Sequence, residues 1–169
     1  MDHVSSVRAA AHTCLTARRT RLAAARDIPH NASSLQMRHV PRGRPMSQYA
    51  FSVTVRTQHL PDQSAPERNS YAFAYTIHIR NTGTVPAQLI SRHWVITDSD
   101  NKVQEVSGLG VVGHQPLLRA GEEFEYTSWA SIPTPTGTMR GEYFCVAEDG
   151  HRFEVEIPEF ALVLPRMLH

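Results

Sequence analysis

The 169-residue sequence holds only two cysteines, Cys14 and Cys145, far apart along the chain. That is too few for a disulfide framework, so a reducing, cytoplasmic setting is expected. No apolar run approaches the roughly 20 residues that span a bilayer, and even Phe160 to Leu164 falls far short of it. No segment reads as a convincing helix. No Gly-x-Ser-x-Gly elbow is present, and Ser128 has no base near it in sequence, so catalysis has little support and a non-enzyme is expected. The histidines at 59, 78, 93, 114, 151 and 169 show no H-x-H, H-x₃-H or cysteine-paired spacing. A transition-metal signature is therefore missing, no cofactor is called for, and a direct metal site stays unknown.

Net charge is scarce too, at +1 in total. That total joins two unlike pieces. Residues 1–45 carry eight arginines against Asp2 and Asp27, or +6; residues 46–169 carry nine Lys or Arg against fourteen Asp or Glu, or −5. An acidic folded portion is a poor surface for tracking phosphates, so nucleic acid is not an expected partner. Residues 1–45 lack apolar periodicity and read as a disordered basic extension, dispensable for folding. Their composition fits a targeting segment or an upstream start, since Met46 stands just before the first strand-like segment. One domain is expected over residues 46–169.

What is present is alternation. Phe51, Val53 and Val55 alternate with polar residues, and Tyr71, Phe73, Tyr75, Ile77 and Ile79 form the cleanest period-two run in the chain. Residues 57–70, with Pro61 and Pro66, read as a loop. Asn81-Thr82-Gly83 signals a turn. Strands follow over Pro86 to Ile90, His93 to Thr97 and near Val103 to Val106. Phe124, Tyr126 and Ser128 begin another, and residues 138–146 one more, joined through Asp149-Gly150 to His151–Ile157. Pro158 is expected to break that ladder and leave Phe160, Leu162 and Leu164 as a last edge strand, a candidate for strand addition by a partner. About eight short strands without helices point to a sandwich. Cys145, Trp94 and Tyr126 read as core.

Gly108, Gly110 and Gly113 spell G-x-G-x-x-G, the pattern of a dinucleotide-binding loop. A Rossmann unit needs a helix directly after the motif, and Pro116 and Gly121 leave no room for one. Two readings stay open. The loop amides could form an anion nest for pyrophosphate or a nucleotide, with His114 and Arg119 adding charge, and Arg92 and His93 as well if the fold brings them near. Alternatively, the glycines supply positive φ where the chain crosses between sheets. Glu122, Glu123 and Glu125 form a carboxylate cluster that could attract magnesium, though such residues more often mark a solvated face.

Several stretches together resemble one family. Residues 71–83 (YAFAYTIHIRNTG), 92–98 (RHWVITD), 108–118 (GLGVVGHQPLL), 121–128 (GEEFEYTS), 136–143 (TGTMRGEY) and the ending LPRMLH are similar, in order, to the ApaG family. The resemblance covers about residues 47–169. It implies an all-β, immunoglobulin-like or fibronectin-type-III-like β-sandwich of seven to eight antiparallel strands, bacterial and stand-alone. It implies a non-enzymatic accessory protein with a protein partner, associated by family label with cobalt and magnesium efflux. Trp129 stands where many members have glycine, and its ring is expected to narrow any groove beside the glycine loop.

Overall fold

The computed structural model describes residues 47–165, so the expected basic extension, residues 1–45, lies outside the described residues. The strands are β1 (Phe51–His59), β2 (Tyr71–Asn81), β3 (Ala87–Asp98), β4 (Val103–Leu109), β5 (Leu117–Leu118), β6 (Glu123–Ile132), β7 (Thr136–Ala147) and β8 (Arg152–Val163). They form two antiparallel sheets. One has the order β1-β2-β6; the other has the order β4-β3-β7-β8, with β5 also on β3. This is the expected β-sandwich.

The alternation in β2 places Phe73, Tyr75, Ile77 and Ile79 inward, where they meet Leu89, Trp94, Met139, Tyr143, Ile157 and Leu162 of the opposite sheet. Trp94 stacks edge-on with Tyr75, Tyr143 and Phe160. Such tilted contacts suit the quadrupoles of the rings and add to the burial of their area.

The strand limits differ from expectation at several places. β1 continues through Thr57 to His59, because these residues still pair with Tyr75, Ala74 and Phe73. The two strands expected over residues 86–97 are one strand, β3, in which Ile90 is an extra residue between the pairs Leu89–Cys145 and Ser91–Phe144. This bulge flips the phase of the strand. Ala87 and Leu89 are buried before it, and Trp94, Ile96 and Asp98 after it. Nor does Pro158 end the last ladder. Pro158 and Glu159 together oppose Arg140, between the pairs Gly141–Ile157 and Met139–Phe160, so β8 runs on as an edge strand with a bulge. An edge bulge tolerates a residue without an N–H.

Buried polar side chains fasten the turns. Asn81 donates to the carbonyls of Val85 (3.0 Å) and Leu118 (2.9 Å) and accepts from the Gly83 amide (2.9 Å). Asp98 accepts from the amides of Asp100 and Lys102, both at 2.9 Å, which closes the β3–β4 turn.

Candidate functional site

The glycine motif is half strand and half turn. Gly108 and Leu109 are the last residues of β4, opposite Arg92 and Ser91. A Cβ on Gly108 would lie 3.0 Å from the Arg92 guanidinium, so the glycine gives that side chain room. Beyond it, Val111 and His114 exchange backbone bonds of 2.7 and 2.9 Å, with Val112 at φ 47° and Gly113 at φ 77° between them. Two central residues at positive φ make a hairpin turn of the I′ kind. Gly110, at φ 58°, lies against the His114 carbonyl, where a Cβ would collide with backbone.

The donors of this loop are largely engaged. The amides of Gly110, Val111 and His114 donate to the carbonyls of Ile90, His114 and Val111. The Arg92 guanidinium donates to the carbonyls of Gly110 (2.6 Å) and Leu109 (3.2 Å). Of the charged side chains expected to serve the loop, Arg92 is the one that bonds to its carbonyls. The His114 ring lies 6.1 Å from that of Phe124. Arg119 belongs to the turn after β5, where its amide and guanidinium both face Glu122.

Arg92 stands opposite Tyr143 in the β3–β7 register, beside a group of core hydroxyls. The Tyr126 and Tyr143 hydroxyls are 2.6 Å apart. Burial raises the pKa of both, and of Tyr75, with Arg92 partly opposing the shift in each case. The Trp94 Nε1 is buried and has no hydrogen-bond partner among the described residues. Cys145 is fully buried, and desolvation pushes its thiol up to about 12, which holds it protonated. Trp129, on β6, pairs with Ala74 of β2 and lies five residues from Phe124. That is about 17 Å along a strand, so its ring does not stand beside the hairpin.

The carboxylate cluster divides by partner. Glu123 faces His78 and Arg80, each at 3.3 Å, Glu125 faces Arg56 at 3.1 Å, and Glu122 faces Arg119. Among the described residues no group of three or more His, Cys, Asp or Glu is placed to hold a metal ion. No helix among them is long and apolar enough to cross a membrane.

The feature that sequence reading passed over is the edge of β4. The strand outlasts its expected end at Val106 and carries Val103 and Leu109, which are 60% and 77% exposed. Reading Gly108 as the start of a loop concealed this. An aliphatic residue at 109, six positions and hence one face from Val103, was the available signal.

Comparison with known proteins extends the picture. A family model described as the ApaG domain matches residues 61–147. Protein ApaG of Ralstonia nicotianae is 74% identical over 124 residues, covering 73% of this chain and 100% of the relative. Protein ApaG of Bordetella pertussis is 59% identical over 128 residues, covering 76% of this chain and 98% of the relative. The crystal structure of an ApaA protein from Bordetella pertussis matches with a TM-score of 0.70 at 58% identity, over 73% of this chain and 100% of that one.

Proposed function

This chain belongs to the ApaG domain family, and from that membership we propose that its folded unit is a non-enzymatic interaction module which binds a protein partner along the free edge of β4. The observation that carries the reading is the edge itself. β4 ends its sheet with Val103 and Leu109 exposed on one face. It contains no proline or bulge of the kind that usually guards such edges, and its one charged residue is Glu105. The anchored hairpin at its end fixes the strand's direction. The tie to cobalt and magnesium efflux stays part of this proposal, as what the family resemblance implies.

The edge differs from the one expected for strand addition. In β8 the Pro158–Glu159 bulge interrupts the regular ladder. Affinity capture tests the choice. Wild type is expected to retain a partner that Leu109→Lys loses at unchanged melting temperature; equal retention by both would overturn it.

A second reading has one observation in its favour. Val112 is β-branched and holds φ 47°, a conformation uncommon for such residues and enriched where ligands bind. On this reading Gly108, Gly110 and Gly113 hold pyrophosphate or a nucleotide polyphosphate. Titration with millimolar pyrophosphate would then shift the amides of residues 108–114. A flat titration removes the reading.

A further inference from the structure

The backbone phase of β4 restricts what can pair with it. At one end the Asp98 amide donates to the Lys102 carbonyl (3.0 Å), and at the other the Gly110 amide donates to that of Ile90 (2.8 Å). Both bonds continue the β3–β4 register. Hydrogen-bonded pairs alternate along an antiparallel ladder, so Gln104, Val106 and Gly108 bond to β3. The amides and carbonyls of Val103, Glu105, Ser107 and Leu109 consequently face away from the sheet.

We propose that these four positions pair with the same four positions of a second copy of the chain, antiparallel about a two-fold axis at Val106. The proposal rests on the reading of β4 as the interaction edge and names the partner. The phase admits only registers that set odd-numbered residues opposite odd-numbered ones. Centring the axis on Glu105 would oppose two carboxylates, which is unfavourable in a strand pair. Centring it on Ser107 would leave Val103 without a mate.

Centring it on Val106 sets Val103 opposite Leu109 and Glu105 opposite Ser107. Each facing pair exchanges two main-chain bonds. Val103 and Leu109 are the most exposed large hydrophobic residues among those described, and this register covers both of them in each copy. β1 and β6, the edges of the other sheet, carry no exposed large hydrophobic residue. In this register Glu105 faces Ser107 rather than another carboxylate, and its own carboxylate lies 3.0 Å from the His93 Nε2. The joined sheets would be continuous, and the contact isologous.

A seven-residue edge falls short of the roughly 1,000 Å² of a stable interface, so dimerisation is weak, with a dissociation constant of about 0.1–1 mM. Sedimentation of the full chain from about 10 μM to 1 mM should show the mass rising toward that of a dimer. Leu109→Lys should weaken the association at least tenfold. Ser107→Pro should do the same, because it removes an outward amide and leaves the β3 ladder intact. In a Cys14→Ser background, Val106→Cys should oxidise to a covalent dimer, since facing Cα atoms of a non-hydrogen-bonded pair lie about 4.5 Å apart. Val103→Cys should not. A monomer throughout, or a dimer indifferent to both edge variants, would overturn the proposal. If the chain stays monomeric while Leu109→Lys still loses a captured partner, self-pairing fails and the β4 reading stands. With no dimer and unaltered capture, both fail.

Discussion

The two faces of β3 are one side chain apart and obey different rules. Trp94 points into the seam between the sheets, nearly fully buried, against Tyr75, Tyr143 and Phe160. His93 points outward, with Glu105 and Glu142 on either side of its ring. The inner face holds the molecule together by area and shape. The outer face carries charge that contributes little to folding and is free to serve recognition. Exposed ion pairs are worth about 0–1 kcal/mol, whereas truncating a buried aromatic costs about 3–5 kcal/mol.

The hardest test of that division is to cut one residue on each face. Trp94→Ala should lower stability by about 3–5 kcal/mol, a large part of what a typical domain has. His93→Ala should cost less than about 1 kcal/mol. The same contrast applies on β2, where Phe73 is fully buried and His78 half-exposed against Glu123. Denaturant midpoints for the four variants would decide it. Equal losses on the two faces would mean that the outer ion pairs are structural.

This division was legible where the period stayed unbroken. Tyr71 to Ile79 announced its inner face in sequence, as did Cys145 in phase with Tyr143. It was illegible at Ile90, because a bulge inserts one residue without changing composition and makes a continuous strand look like two with opposite phases. Pro158 misled for a related reason: a missing amide ends a central ladder but not one at an edge. The glycine motif was visible as spelling only. Its hairpin is backed by Arg92, which reaches the carbonyls of Leu109 and Gly110, a contact across strands that no local pattern encodes.

Alkali should act on the inner face first. Burial raises the Cys145 thiol from 9.0 to about 12 and also raises the hydroxyls of Tyr75, Tyr126 and Tyr143. The unfolded chain loses these protons before the folded one does, so it binds fewer protons in that window and stability falls as pH rises. The contribution of Cys145 is complete below pH 9 and is lost as pH climbs toward 12. The tyrosines join from about pH 10. Urea midpoints should therefore decline above pH 9, and Cys145→Ala should delay the onset. A midpoint constant to pH 11 in the parent protein would contradict the buried, protonated thiol.

The smallest expected effect concerns the outer face alone. Glu142 stands directly opposite Glu156 in the β7–β8 register, and like charges at that position are destabilising by a few tenths of a kcal/mol. The outer face of the three-stranded sheet is arranged otherwise, since Glu123 and Glu125 each lie beside a cation there. Glu142 has His93 at 3.5 Å, while Glu156 has no ion-pair partner among the described residues. Glu156→Gln should thus raise stability by roughly 0.2–0.5 kcal/mol, more at low salt than at high, because screening already weakens the repulsion. Thermal melts at two ionic strengths would show it. A loss of stability instead would mean that the carboxylate holds something in place on that face. The distinction between a packing side and a charged side free for recognition would then need redrawing on the five-stranded sheet.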